Sequence, residues 1–168
     1  IDVDGSLGEG GGQVIRTSVA MSAITGQPTH IFNIRGGREN PGLRPQHLKA
    51  VEAAGLLCDA EVTGLRLGSR EVFFKPRQLR AGHIRVDVGS AGSVTLILQA
   101  LLPVALNAPG EVALEVSGGT DVNRSPTYDY LRNVFCPLIR RIGCEAVSYT
   151  HLRAHETPEH LVCRLLLE

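Results

Sequence analysis

Lysine is nearly missing from this sequence: Lys49 and Lys75 are the only two among 17 basic residues. Diffuse attraction of a polyanion by a lysine-rich face is thereby excluded, and the arginines that remain suit planar, two-pronged recognition of phosphate or carboxylate. Net charge is missing as well, because 17 acidic residues balance the 17 basic ones, which excludes a globally basic nucleic-acid binder. No apolar run is long enough to cross a bilayer; the longest, VTLILQALLPVAL from Val94 to Leu106, is interrupted by Gln99 and Pro103. Cys58, Cys136, Cys144 and Cys163 match neither a CxxC redox pair nor a zinc ribbon, and no secretory leader precedes them. Free thiols in a reducing cytoplasm are therefore expected. The chain opens on Ile1 rather than Met, so a trimmed start is expected too.

What is present is enough to fold: 168 residues, 43% hydrophobic and 20% charged, can form one ordinary core or two small ones. IDVDG at 1–5 reads as a strand, Gly12 to Thr25 as a helix with Ile15, Val19 and Ser22 on one side, and THIFNI at 29–34 as a strand. A loop, RGGRENPGL, leads into a helix from about Arg44 to Leu57, and DAEVTG and REVFFKP read as two strands joined by a turn. The order then begins again with HIRVDV, the turn GSAGS, the helix Val94 to Leu106, the strand EVALEVSG, the turn SGGTD and a helix bent or broken at Pro137. This spacing predicts two similar α/β units, residues 1–80 and 82–147, the second incomplete. Residues 148–168 lack the glycine turns and read as an atypical tail, foreign or frame-shifted in origin. Its histidines at 151, 155 and 160 carry no acidic ligand pattern, and Pro158 interrupts any helix, so metal ligation there is not expected.

The chemistry concentrates at turns. GEGGGQVIR, Gly8 to Arg16, has glycine at four of five successive positions, tolerated where backbone turns sharply or comes very close to something. Unpaired N–H groups of Gly11, Gly12 and Gln13 at the helix start favour an anion, and Gln13 and Arg16, three apart, project from one side. Glu9 then reads either as a carboxylate bridged to that anion by a divalent cation or as a solvated residue favouring the helix dipole. GEGGGQ has no GK[ST] ending and is not a Walker loop. RGGRENPGLRPQH supplies Arg35, Arg38 and Arg44 against Glu39, either as a solvated face or as a phosphate clamp held by glycine and proline. Gln46 and His47 open the next helix, where His47 is expected to make hydrogen bonds at the helix start. Gln99, inside an apolar helix, should meet a polar partner or face a site. Ser125 and Pro126 read as an N-cap and first-turn pair.

Four stretches in register, GEGGGQVIRTSVAMSAITGQP, NIRGGRENPGLRPQHLKAV, GSAGSVTLILQALLP and SGGTDVNRSPTYDY, closely resemble the amino-terminal half of RNA 3′-terminal phosphate cyclases, over about residues 1–147. The resemblance implies an α/β (α+β) fold of tandem repeated units, each a four-stranded sheet with two helices on one face, shared with enolpyruvyl transferases and here truncated. It implies ATP and a divalent metal, Mg or Mn, as cofactors. The implied activity converts a 3′-phosphate end of RNA into a 2′,3′-cyclic phosphodiester through adenylylated histidine and RNA–phosphate–AMP intermediates. By resemblance Glu9 is the metal and phosphate carboxylate. Arg16 and Arg38 join it in catalysis. Gln13, Arg16, Arg35, Arg38 and Gln46 line the phosphate and RNA-end pocket, Gln13 also counting among the cofactor-binding residues; Gln99 lies near the ATP phosphates, and Pro126 packs on adenine.

The family's nucleophilic histidine lies in a downstream His-x-x-Thr-Asn element with no counterpart here, so a fragment unable to turn over is expected. A non-catalytic relative assisting ribosomal RNA processing is the alternative, disfavoured by intact Glu9, Gln13, Arg16 and Gln99; an enolpyruvyl transferase, needing no ATP, is a third reading. RNA with a 3′-phosphate end and ATP are the expected partners, without a membrane. An unmatched repeat would leave core surface uncovered, which makes self-association as a homodimer a fair expectation.

Overall fold

The computed structural model describes residues 1–89, 92–151 and 159–166. The chain divides into two compact units, Ile1–Arg80 and Ala81–Glu168. In the first, β1 (Asp2–Asp4), α1 (Gly12–Thr25), β2 (Thr29–Phe32), α2 (Pro45–Cys58), β3 (Glu61–Thr63) and β4 (Val72–Lys75) follow in order. The sheet order is β1-β2-β4-β3. β1 and β2 are parallel, as the crossover through α1 requires, and β4 runs antiparallel to both its neighbours. Period-two burial sets the covered face: Thr29, Ile31, Val72 and Phe74 are buried while Phe73 and Lys75 are exposed. α1 and α2 pack on each other and bury Ile15, Val19, Val51 and Leu57 together with Ile31 and Phe74.

Local chemistry sets the element ends. α1 stops at Gly26, whose left-handed φ of 69° costs a glycine nothing. β2 ends two residues before the pattern suggests, because Asn33 takes φ +49° and turns the chain into the arginine loop. The connection between β3 and β4, expected as a simple turn, is a longer segment from Gly64 to Glu71.

The second unit contains β5 (Gly82–Asp87), α3 (Val94–Leu106), β6 (Val112–Gly118), α4 (Tyr128–Tyr130), a π-helical stretch Leu131–Phe135, α5 (Cys136–Arg141), β7 (Glu145–His151) and β8 (Glu159–Leu166). Its order, β5-β6-β8-β7, and its strand directions repeat those of the first unit. β7 and β8 run on into the stretch set apart by composition as a tail, and β8 pairs with β6 from Val112 to Gly118. His155 lies outside the described residues, as do the side chains of His151 and His160. α3 is buried except around Gln99.

One expectation at the last helix needs correction. Its cap is Thr127, whose hydroxyl accepts from the Tyr130 N–H, not Ser125; the Ser125 hydroxyl donates to the Val122 carbonyl instead. Pro137 does interrupt the regular α-helix, as expected: a π-helical stretch, Leu131–Phe135, precedes it, and Pro137 sits in the first turn of α5. There the wider turn relieves the clash that a proline ring makes with the carbonyl four residues back. Cys58, Cys136 and Cys144 are free thiols. Burial pushes the Cys58 thiol up to about 11, which makes it an inert core group. Among the described residues no helix is long and apolar enough to cross a membrane.

Candidate functional site: two glycine loops and an arginine cluster

In the first unit the β1–α1 loop lies against the β2–α2 loop, backbone on backbone. A Cβ on Gly10 would stand 3.0 Å from the Gly37 nitrogen, one on Gly36 3.1 Å from the Ser6 Cβ, and one on Gly11 3.2 Å from the Arg38 guanidinium. Gly10 also needs its φ of +53°. Gly10, Gly11 and Gly36 are thus explained by the close approach of two loops, and Gly8 by its φ of +62°. Asp4 starts the first loop by accepting from the Ser6 hydroxyl at 2.7 Å and the Ser6 N–H at 2.9 Å, bonds that hold its carboxyl below the usual range.

α1 begins at Gly12 with Gly11 as a cap that offers no side chain and with no acid in its first turn, which leaves its first N–H groups free for an anion. Arg38 reaches this end and donates to Glu9 at 3.2 Å. The Glu9 carboxylate is 92% exposed, so the pair is a weak surface contact that a ligand can displace. Within α1, Arg16 donates to Gln13 at 2.9 Å, and Gln13 in turn donates to Thr17 at 2.7 Å. Arg16 is only 6% exposed, its Nε has no hydrogen-bond partner, and burial depresses its pKa.

His47 anchors the opposite side. Its Nδ1 accepts from the Arg44 N–H at 3.1 Å, the helix-start role expected for it, and the remaining proton therefore sits on Nε2. The ring packs on Gly12, where any Cβ would overlap it. Burial, then the charges of Arg16, Arg35 and Arg44, lower the His47 pKa to about 3. The ordinary histidine value is about 6.5, so between that pH and 3 the unfolded chain binds a proton that the native chain excludes. Stability is therefore complete above about pH 6.5 and falls on acidification, by about 2 kcal/mol at pH 5. Urea melts at pH 7 and pH 5 should show this loss, and His47→Asn, which keeps an acceptor for the Arg44 N–H, should remove it.

Arg35, expected in the clamp, is half committed to its own loop. At φ +55° it donates to the carbonyls of Asn40, at 2.6 Å, and Gly42, at 3.1 Å. Burial, then Arg44 and Arg38, lower its pKa as well. Gln46 is half-exposed in the first turn of α2. Glu9, Gln13, Arg16, Arg35, Arg38 and Gln46 thus all belong to the two loops and helix starts of the first unit. Gln99 and Pro126 belong to the second. Gln99 is the one exposed residue of α3, so its amide carries no burial cost. The Pro126 carbonyl accepts from buried Thr95 at 2.6 Å, and Thr95 also bonds Ser93, the α3 cap. The Thr95 contact has no sequence signal beyond a polar residue at a helix start.

A profile of the family described as RNA 3′-terminal phosphate cyclase matches residues 7–159. Proteins named RNA 3′-terminal phosphate cyclase from Ignicoccus hospitalis, Pyrococcus furiosus and Nitrosospira multiformis are 57%, 55% and 51% identical to the chain, each over 92% of it. The aligned region makes up 44%, 45% and 44% of those relatives, so the chain spans less than half their length.

Proposed function

The chain belongs to the RNA 3′-terminal phosphate cyclase family, and from that premise we propose that its first unit holds the terminal phosphate of an RNA. The reaction served is the ATP-dependent closure of that phosphate to a 2′,3′-cyclic phosphodiester. The observation that carries this reading is the gathering of guanidinium groups at the facing helix starts, where Arg38 pairs with exposed Glu9 and buried Arg16 keeps an Nε without a partner. Arg16, Arg35 and Arg44 all act on buried His47, and Arg35 is opposed by Arg44 and Arg38. A dianionic phosphate relieves that repulsion and supplies the missing acceptor.

In this reading the free N–H groups of α1, Arg16 and Arg38 fix the phosphate while Gln46 and Arg35 hold the RNA end. The ribose 2′-hydroxyl attacks phosphorus, forming the new P–O bond as the bond to AMP breaks. Its proton passes to solvent, and AMP leaves. Alignment by fixed guanidinium groups lowers the cost of bringing two anions together. Gln13, Gln99 and Pro126 are assigned to ATP. A divalent cation, Mg or Mn, would rest on Glu9, whose exposed carboxylate lies near the start of α1, with waters and phosphate oxygens completing its shell. When bound it would supply charge neutralisation for the phosphates. The histidine that accepts AMP is assigned to the portion of the relatives that this chain does not span. A cytoplasmic setting accords with this reading.

The test is a binding comparison between oligoribonucleotides ending in a 3′-phosphate and in a 3′-hydroxyl. Wild type should prefer the phosphate, and Arg38→Ala should weaken phosphate binding about tenfold to a hundredfold, the worth of one charge-assisted contact, while leaving the hydroxyl form unaffected. Equal binding of both ends by wild type would overturn the assignment.

A further inference from the structure

A second feature of the first unit lies outside the phosphate site. The segment Gly64–Glu71 and the end of β2 border an open surface cavity of about 500 Å³ lined by Phe32, Asn33, Arg66, Ser69, Arg70 and Glu71, among others. Arg66 and Arg70 are exposed. Neither guanidinium has an ion-pair or hydrogen-bond partner among the described residues, whereas exposed Lys75, Arg77 and Arg80 are each paired with an acid; exposed Arg44, in the arginine cluster, is the other exposed basic residue of the unit with no ion pair among the described residues. Glu71, the acid of the lining, lies 3.6 Å from His30.

An aromatic surface adjoins these charges. His30 stacks on Phe73 with ring centroids 3.9 Å apart and an interplanar angle of 1°, and its centroid is 5.6 Å from that of Phe32, which lines the cavity. Phe73 is 47% exposed, on the sheet face that the helices leave bare. Unpaired arginines sharing a lining with half-buried Phe32, next to the His30 ring and exposed Phe73, combine the two parts of a single-strand nucleic-acid surface: cations that follow phosphates and a ring that can stack a base.

The cavity is also joined to the arginine loop. The Ile34 N–H donates to Arg70, the Leu43 N–H to Ser69 and the Gly68 N–H to Leu43, each at 2.9 Å. The segment carrying Arg66 and Arg70 is thus fastened to both ends of the loop that carries Arg35 and Arg38. The cavity therefore adjoins the loop to which the RNA end is assigned.

We infer that this cavity binds a nucleotide of single-stranded RNA upstream of the terminal phosphate, with Arg66 and Arg70 on the backbone and a base against the Phe32–His30–Phe73 surface. The inference rests on the terminal-phosphate reading above and adds a subsite to it. It is tested on the whole chain with two 3′-phosphorylated probes, a mononucleotide and a single-stranded oligoribonucleotide of about six residues. Wild type should bind the longer probe at least about tenfold more tightly. Arg66→Ala combined with Arg70→Ala, both exposed and remote from the core, should abolish that advantage and lower the salt slope for the longer probe by about 1.4, at about 0.7 per contact. Affinity for the mononucleotide should not change.

No length advantage in wild type, or an advantage that survives the double substitution, would overturn the inference. So would equally tight binding of a duplex of the same length, which would mark a general polyanion surface. Failure of the terminal-phosphate reading looks different: there the 3′-hydroxyl and 3′-phosphate forms of either probe bind alike.

Discussion

Gly42→Ala is expected to destabilise the chain by about 3–5 kcal/mol, from left-handed strain together with overpacking. Gly42 stands at φ +83°, and a Cβ there would collide with the Gly68 carbonyl, which is backbone and cannot swing aside. Its own N–H donates to the Ile34 carbonyl at 2.8 Å, and its carbonyl accepts from Arg35. One methyl group would therefore force apart the arginine loop and the segment that holds it. Gly26→Ala is the natural control, since Gly26 has a similar φ of +69° but nothing within 4 Å of the added atom. It should cost only about 1–2 kcal/mol, the strain alone. Urea midpoints of the two variants measure the difference, and equal losses would show that the loops are not clamped at this point.

Arg16→Met should separate stability from binding. Removing a buried guanidinium with an orphaned Nε and replacing it with an apolar chain of similar reach should leave stability within about 1 kcal/mol of wild type, or raise it. It also removes one of the charges that depress His47, so the His47 pKa should rise. Affinity for a 3′-phosphorylated end should fall about tenfold to a hundredfold or more, because the buried charge is the contact that water screens least. A protein that unfolds on this change would make Arg16 a structural residue. One that keeps its affinity would remove it from the site.

The elements were legible in the sequence wherever one period dominated. α1 runs from Gly12 to Thr25, as its apolar spacing and closing glycine require, and α3 from Val94 to Leu106. The two-unit order could be read from glycine turns because those turns are where loops meet backbone to backbone. What stayed hidden depended on contacts between residues distant in sequence. Nothing in Gly42 announces Gly68, and nothing in Arg66 or Arg70 announces an aromatic face formed by β2 and β4. Ser125 looked like a cap because its neighbour is proline, yet Thr127 is held at the helix start and takes the role. Gln99, expected to meet a polar partner or face a site, is exposed, which leaves the second of those roles open to it. The arginine cluster was visible as composition, but its meaning came from geometry: Arg35 is partly spent on its own loop, while Arg16 is the buried, under-satisfied member.

The decisive measurement is an amide and imidazole NMR titration of the wild-type chain with matched 3′-phosphorylated and 3′-hydroxyl ribonucleotides. The phosphate form should shift Gly11, Gly12 and Gln13 together with the Arg38 and His47 side chains, saturably, while the hydroxyl form leaves them in place. Shifts that are equal for the two forms, or that spare the start of α1, would contradict a phosphate held between the two glycine loops.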